Sequence, residues 1–226
     1  MEKKLIITQD GSHSIFVPAL KEHYHSTFGA IQESGIVYIE NGLKEILKSR
    51  NGINIFEMGF GTGLNAYLTF LYIINQSVKI SYTAIEAFPL EPVMIQELNY
   101  AHQVQNDPGS SSFLKLHNAP WESAAEISES FQLLKQNISL LDFETTDKYD
   151  LIYFDAFAPD VQPELWTLEV FDKLYKMMNP DGILVTYCCK GVVKRNMKSA
   201  GFEIEKLPGP PGKREILRGR KIEKRL

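Results

Sequence analysis

From Ile53 onward, short apolar runs alternate with longer segments of helical character. Ile53 to Glu57 reads as a first strand, Leu64 to Ile74 as a largely apolar helix, and Lys79 to Glu86 as a second strand. Pro89 and Pro92 introduce a helix running to about Gln103, since proline is tolerated in a first helical turn. Asp107 to Ser112 reads as a loop, Phe113 to Glu129 as short helices, and Phe131 to Asn137 as a third strand. Tyr149 to Asp155 is a fourth strand, with the unbroken apolar run Leu151 to Phe154 expected when helices cover both faces of a sheet. A helix from about Pro163 to Met178 stops at Asn179 to Gly182. Ile183 to Cys188, Val192 to Ala200 and Phe202 to Leu207 then read as strand, helix and strand, and beyond a proline-rich turn Arg214 to Leu217 returns as a seventh, antiparallel strand. This order predicts an α/β fold with a doubly wound, mostly parallel seven-stranded sheet of Rossmann-like type, with ligands at the carboxyl ends of its strands.

Ahead of this pattern, Leu5 to Val17 reads as two short strands around an Asp10-Gly11 turn, a hairpin signal with a mechanism. A less regular stretch, Lys21 to Gly35, leads to a helix from Ile36 to Lys48 that stops before Asn51-Gly52. The expected organisation is an N-terminal hairpin and helical appendage over residues 1–50 and a main domain over 51–226.

Composition narrows the class. Hydrophobic residues make up 44% and charged residues 23% of the 226 positions, ordinary globular usage that argues against disorder. The first ten residues carry too short an apolar run for a signal peptide, and no stretch approaches the roughly 18 apolar residues of a membrane span. Cys188 and Cys189 are adjacent and read as small buried residues in a strand. His13, His23, His25, His102 and His117 show no metal-ligand spacing, so no metal site is expected, and a reduced, cytoplasmic setting fits. Net charge is −4, but residues 190–226 hold twelve Lys or Arg against four Glu, a net +8 that leaves −12 on the rest. A basic end on an acidic body suggests an anionic partner met on one face; a solvated tail is the alternative.

The candidate chemistry lies at strand ends. Glu57, Met58, Gly59, Gly61, Thr62 and Gly63 span the turn from the first strand into a helix beginning at Leu64 and Asn65. Glycines let backbone approach a ligand, and the helix start offers N–H groups to an anion. The third glycine follows the second by two residues, not by the three of the dinucleotide fingerprint. That favours a carboxylate tail, such as the methionine part of S-adenosylmethionine, over a pyrophosphate. Glu86, 23 residues after Gly63, is placed to accept ribose hydroxyls, and Asn137 after the third strand to bond an adenine edge. Asp155 closes the fourth strand. A carboxylate there can orient a substrate ammonium and accept its proton, or cap the following helix.

Phe56 to Asn65, Ala84 to Leu90, Asp150 to Pro159, His23 to Ser26 with Glu33-Ser34, and Pro208 to Glu215 together resemble the MnmD family, stand-alone relatives of the methyltransferase half of the bifunctional enzyme MnmC. The resemblance runs from about Gly11 to Leu217. It implies a class I methyltransferase that moves a methyl group from S-adenosylmethionine to the primary amine of 5-aminomethyl-2-thiouridine at the tRNA wobble position. By motif, Gly59 to Asn65 would hold the methionine part, Glu86 the ribose and Asn137 the adenine. Asp155 and Phe157 would face the amine, and Tyr24 would sit near the reactive methyl. Lys190, Lys194, Lys198, Arg195, Lys213, Arg214, Arg218, Arg220 and Lys221 become natural tRNA phosphate contacts, Lys213 and Arg214 falling in a motif that would either approach RNA phosphate or shape the site rim, and a splayed base would stack on Phe157 or Tyr24. No FAD-binding half is expected in this chain. The rivals are an aminopropyltransferase of spermidine-synthase type, a small-molecule N-methyltransferase, and an inert tRNA-binding protein.

Overall fold

A computed structural model describes residues 2–104 and 111–222. Strands β1 (Lys4–Ile7), β2 (His13–Val17) and β3 (Glu22–His23) form a small antiparallel sheet. The main sheet contains β4 (Gly52–Met58), β5 (Lys79–Ile85), β6 (Ala124–Ser128), β7 (Phe131–Gln136), β8 (Tyr149–Phe154), β9 (Met178–Thr186), β10 (Glu203–Pro208) and β11 (Glu215–Arg220). Their order is β10-β11-β9-β8-β4-β5-β7-β6. The five central strands run parallel. At one edge β11 inserts antiparallel between β9 and β10, and at the other β6 folds back antiparallel on β7.

Helix α1 covers residues 30–46, its middle (Gly35–Leu43) wound as a π-helix. It is followed by α2 (Leu64–Ile73), α3 (Pro92–Glu97), α4 (Tyr100–Gln103), α5 (Ser111–Asn118), α6 (Leu168–Met177) and α7 (Gly191–Ser199). The alternation along β8 explains its apolar run. Leu151 and Tyr153 enter the core shared with α1, α2 and α5, whereas Ile152 and Phe154 enter a second core beneath α6 and α7. Both faces are therefore buried, as a parallel sheet requires. The N-terminal part is continuous with the first core through Ile15, Val37, Tyr38 and Leu43, and Tyr38 packs its ring 5.1 Å from that of Tyr153. Among the described residues no helix is long and apolar enough to cross a membrane.

Several boundaries differ from the sequence reading. The sheet has an eighth strand, because Ala124–Ser128 is an edge strand and only Ser111–Asn118 of the expected helical stretch is helix. Ile127 alone of β6 is buried, a pattern too sparse to show strand period. Helix α1 starts at Ala30, six residues ahead of Ile36, burying Ala30, Glu33 and Ser34. The helix expected up to Gln103 breaks where Leu98 turns extended (ψ 133°). Thr167 likewise divides the Pro163 helix into a 3-10 turn (Pro163–Trp166) and α6, which its side chain caps by accepting the Val170 N–H. Cys188 and Cys189 lie past the end of β9 as free thiols, the first buried and the second half-buried. Of the loop expected over Asp107 to Ser112, residues 107–110 fall outside the described residues, and Ser111 and Ser112 begin α5.

Far from the ligand end, the buried Asp150 carboxylate gathers the Arg50 guanidinium, the Asn54 N–H (2.8 Å) and the Asn179 amide (2.8 Å). Removing it takes the shared acceptor from three part-buried donors, of which Arg50 keeps a second, the Pro180 carbonyl. Asp150→Ala is expected to lower stability by about 2–4 kcal/mol, read as a lower urea midpoint with an unchanged slope; an unchanged midpoint would refute the role.

Candidate functional site

The carboxyl ends of β4, β5 and β8 open onto a cleft of about 570 Å³. Strands β4 and β8 run parallel until Met58 lies opposite Phe154, and the Asp155 N–H donates to the Met58 carbonyl at 3.1 Å. There the chain turns at Gly59 (φ +90°), where a Cβ would lie 2.7 Å from the Asp155 carbonyl oxygen. No side chain tolerates that approach, so glycine is demanded by geometry. The Gly59 and Phe60 amides both donate to the Ile85 carbonyl, at 3.0 and 3.1 Å. Gly63 (φ +71°) then feeds α2, and a Cβ on it would meet the His117 ring at 2.7 Å. The first-turn amides of α2, like those of any helix start, have no partner within the helix.

Glu86 lines the cleft, its two carboxylate oxygens accepting the Gly61 N–H and the Phe88 N–H, each at 2.9 Å. Asn137 is exposed and does not line it. Its amide donates to the Glu86 carbonyl at 2.7 Å and its N–H to the Glu122 side chain at 2.7 Å, tying β7 to the end of β5. The apolar wall at that position comes instead from Ile138, Leu140 and Leu141. Glu57 also stays out of the cleft. Fully buried beneath the loop, it has both carboxylate oxygens without a hydrogen-bond partner, and burial pushes its pKa well above the usual carboxylate range. Glu57 and Gly63 shape the loop from below; Met58, Gly59, Gly61, Thr62 and Asn65 line the cleft.

On the opposite wall the half-buried Asp155 accepts the Asn65 amide at 2.9 Å through Oδ2. Burial raises its pKa to about 6, against the opposing pull of Tyr38 and Asn65. Tyr24 and Phe157 meet edge to face, ring centroids 5.2 Å apart. Phe157 is fixed through its backbone, its N–H donating to Gln162 and its carbonyl accepting the Trp166 indole N–H at 2.8 Å. Thus Asp155, Phe157 and Tyr24 are brought together with the glycine loop.

The basic residues divide. Lys213 points into the cleft, pairs with buried Glu33 and lies 3.8 Å from the Tyr187 ring centroid. Lys190 pairs with Asp160. Arg218 and Arg220 pair with Glu45, Arg218 also with Glu205, and Lys221 donates to the Tyr175 and Met178 carbonyls. The last three therefore knit the sheet edge together rather than standing free. Among the described residues Lys194, Arg195, Lys198 and Arg214 form no ion pair, and the first three share a shallow groove between α7 and β10. No three His, Cys, Asp or Glu side chains are placed to hold a metal ion among the described residues.

Several cleft residues were not singled out from the sequence. Tyr187 follows the end of β9, so the strand-end rule that found Asp155 also reaches it. Phe28 and Phe88, 42% and 71% exposed, stand on the rim, and no periodicity marks them. Below the loop, His117 Nε2 lies 3.0 Å from the Thr62 carbonyl, while buried Lys135 donates to the His117 carbonyl (2.6 Å) between the Phe60 and Trp121 rings.

Residues 109–222 match a family model described as S-adenosyl-L-methionine-dependent methyltransferase. The chain is 28% identical over 229 residues to the tRNA 5-methylaminomethyl-2-thiouridine biosynthesis bifunctional protein MnmC of Azoarcus sp. (strain BH72), covering 96% of this chain and 35% of that protein. To the same-named protein of Burkholderia multivorans it is 30% identical over 228 residues, covering 95% and 34%. The chain thus spans about a third of the length of these relatives. Its fold is similar to the crystal structure of MnmC2 from Aquifex aeolicus, with a TM-score of 0.78, 24% identity and coverage of 96% of this chain and 70% of that one. With the glycine loop, Glu86 and Asp155 gathered on one cleft and the family model spanning half of the sequence, the chain belongs to the S-adenosyl-L-methionine-dependent methyltransferase family.

Proposed function

We propose that this chain transfers a methyl group from S-adenosylmethionine to the primary amine of 5-aminomethyl-2-thiouridine at the tRNA wobble position. The observation that carries the reading is the Asn65 bridge, which ties the start of α2, below the glycine loop, to the Asp155 carboxylate facing the aromatic wall. Relatives named for making 5-methylaminomethyl-2-thiouridine support the choice of acceptor.

The residues present fit the cofactor. The glycine loop passes where side chains cannot, and Thr62, Asn65 and the α2 amides would receive a carboxylate tail. The Glu86 oxygens, each holding one backbone N–H, keep lone pairs for ribose hydroxyls. Ile138, Leu140 and Phe88 give an apolar wall for a purine in place of the Asn137 contact expected from the sequence. When bound, S-adenosylmethionine supplies a methyl group already activated by its sulfonium. The protein's part is to align a neutral amine and exclude water. Asp155 Oδ2 is held by Asn65, which aims the carboxylate to orient the amine and take its proton. Tyr24 and Phe157 supply rings against which the base packs. Residues 1–50 act as an extension whose 22–28 segment roofs the cleft. Exposed Arg195, Lys198 and Arg214, with half-buried Lys194, are the phosphate contacts in this reading, which places the work in the cytoplasm; Lys190 joins them only if it leaves Asp160.

The test is incubation of labelled S-adenosylmethionine with tRNA bearing the aminomethyl wobble base, followed by nucleoside mass spectrometry. The methylaminomethyl nucleoside is expected. No product from a folded, cofactor-binding chain would leave an inert binder, and methylation of free amines alone would leave a small-molecule enzyme.

Asp155→Asn is expected to lower kcat on tRNA by about 10²–10⁴-fold while changing cofactor affinity only a few-fold; equal losses would place Asp155 in the cofactor shell. Because the carboxylate is the working form and its pKa is about 6, kcat/KM is expected to fall as pH drops through 6. His117→Ala removes the brace on the Thr62 carbonyl and is expected to weaken cofactor binding by about 5–100-fold in calorimetry. Lys194→Ala with Lys198→Ala is expected to raise KM for tRNA and flatten its salt dependence by about 0.7–0.9 in log–log slope for each phosphate no longer neutralised; an unchanged slope would exclude the α7 face.

A further inference from the structure

Glu33 and Lys213, 180 residues apart in sequence, meet across the acceptor side of the cleft. Glu33 lies in the first turn of α1, and its second oxygen accepts the Ser26 N–H at 2.6 Å. Lys213 comes from the turn between β10 and β11, which packs so tightly on the N-terminal segment that a Cβ on Gly212 would lie 2.2 Å from the Phe28 ring. The Lys213 and Glu33 side chains are 27% and 7% exposed. Lys213 is thus committed inside the cleft, which favours shaping the site over a free phosphate contact, the two roles the sequence left open. Its ammonium also covers the Tyr187 ring, and the Tyr187 hydroxyl donates to the Ala156 carbonyl at 2.8 Å, inside the turn that carries Asp155 and Phe157.

We propose that Glu33 and Lys213 form a positioning pair that fixes the Asp155–Phe157 turn through Tyr187 and sets two opposed charges against the Asp155 carboxyl, so that neither alone governs it when the amine arrives. The inference rests on the reading of Asp155 as the amine-facing carboxylate. Charges in a partly dry cleft act far more strongly than in water. A lone lysine there would repel an arriving ammonium, and a lone glutamate would hold Asp155 protonated; together they cancel at the substrate. The groups facing Asp155 are Asn65 from α2, Tyr38 and Glu33 from α1, Glu57 from β4, Tyr82 from β5, Tyr187 after β9 and Lys213 from the β10–β11 turn. Lys213 favours its charged form and Glu33 opposes it. The N-terminal extension therefore supplies part of the electrostatics of the active site.

The test is a carbon-13 NMR titration of the full chain labelled at aspartate side-chain carboxyls, with the Asp155 resonance identified by its loss in Asp155→Asn. Lys213→Met is expected to move the Asp155 midpoint above its value near 6, and Glu33→Gln to move it below. Lys213→Arg should hold it in place, and the double variant should return towards the parent. Unmoved midpoints in folded variants, or both single variants moving the same way as a merely loosened contact would, overturn the proposal. If Lys213→Met does not fold, the direction given by Glu33→Gln decides. The titration needs no turnover, so a chain inactive on tRNA would defeat the proposed function while leaving this result readable. In an active chain, the acid limb of kcat/KM is expected to follow the same opposite shifts.

Discussion

Where β4 and β8 end side by side, Gly59 runs so close to the Asp155 carbonyl that a Cβ would lie 2.7 Å from its oxygen, and the Asp155 N–H returns a hydrogen bond to Met58. Two consequences follow. The loop must be glycine at that point, and the side chain of Asp155 is delivered to the first turn of α2, where Asn65 takes it. In the proposed reaction a cofactor on the loop and an acceptor at Asp155 would share this one frame. Near-attack alignment of donor and acceptor is the main service a protein can render a reaction whose electrophile is already activated. On that reading a strand pair supplies it.

Burial on both sides of that contact keeps the frame stiff. Below it, desolvation pushes the Glu57 pKa well above the carboxylate range. His117, lowered by burial to about 4, can donate its Nε2–H to the Thr62 carbonyl. Lys135, lowered by burial to about 8, closes the last turn of α5 between two aromatic rings. Above it, the β2–α1 segment and the β10–β11 turn meet through Glu33 and Lys213.

The sequence spoke most clearly where the physics was local. The buried parallel strands, the glycine turn and the acidic residues at strand ends were readable because backbone geometry and a two-sided core restrict residue type. Asn137 shows the limit: position at a strand end was right, but its amide turns back to the Glu86 carbonyl, and rotamers are not encoded in spacing. The β6 strand was missed because an edge strand with one buried residue lacks period-2 patterning. The basic end was legible only in part, for a different reason. Formal charge does not reveal that Arg218, Arg220 and Lys213 find carboxylates on α1, a pairing between residues some 170–180 positions apart.

The claim underlying the whole account is that the loop from Gly59 to Asn65 receives the carboxylate-bearing tail of S-adenosylmethionine. Calorimetric titration of the chain with S-adenosylmethionine and with its decarboxylated form tests it directly. Tighter binding of the intact cofactor by at least about tenfold, the equivalent of one charge-assisted contact at a helix start, is the result expected. Equal or tighter binding of the decarboxylated form would contradict the account and make this a site for aminopropyl transfer.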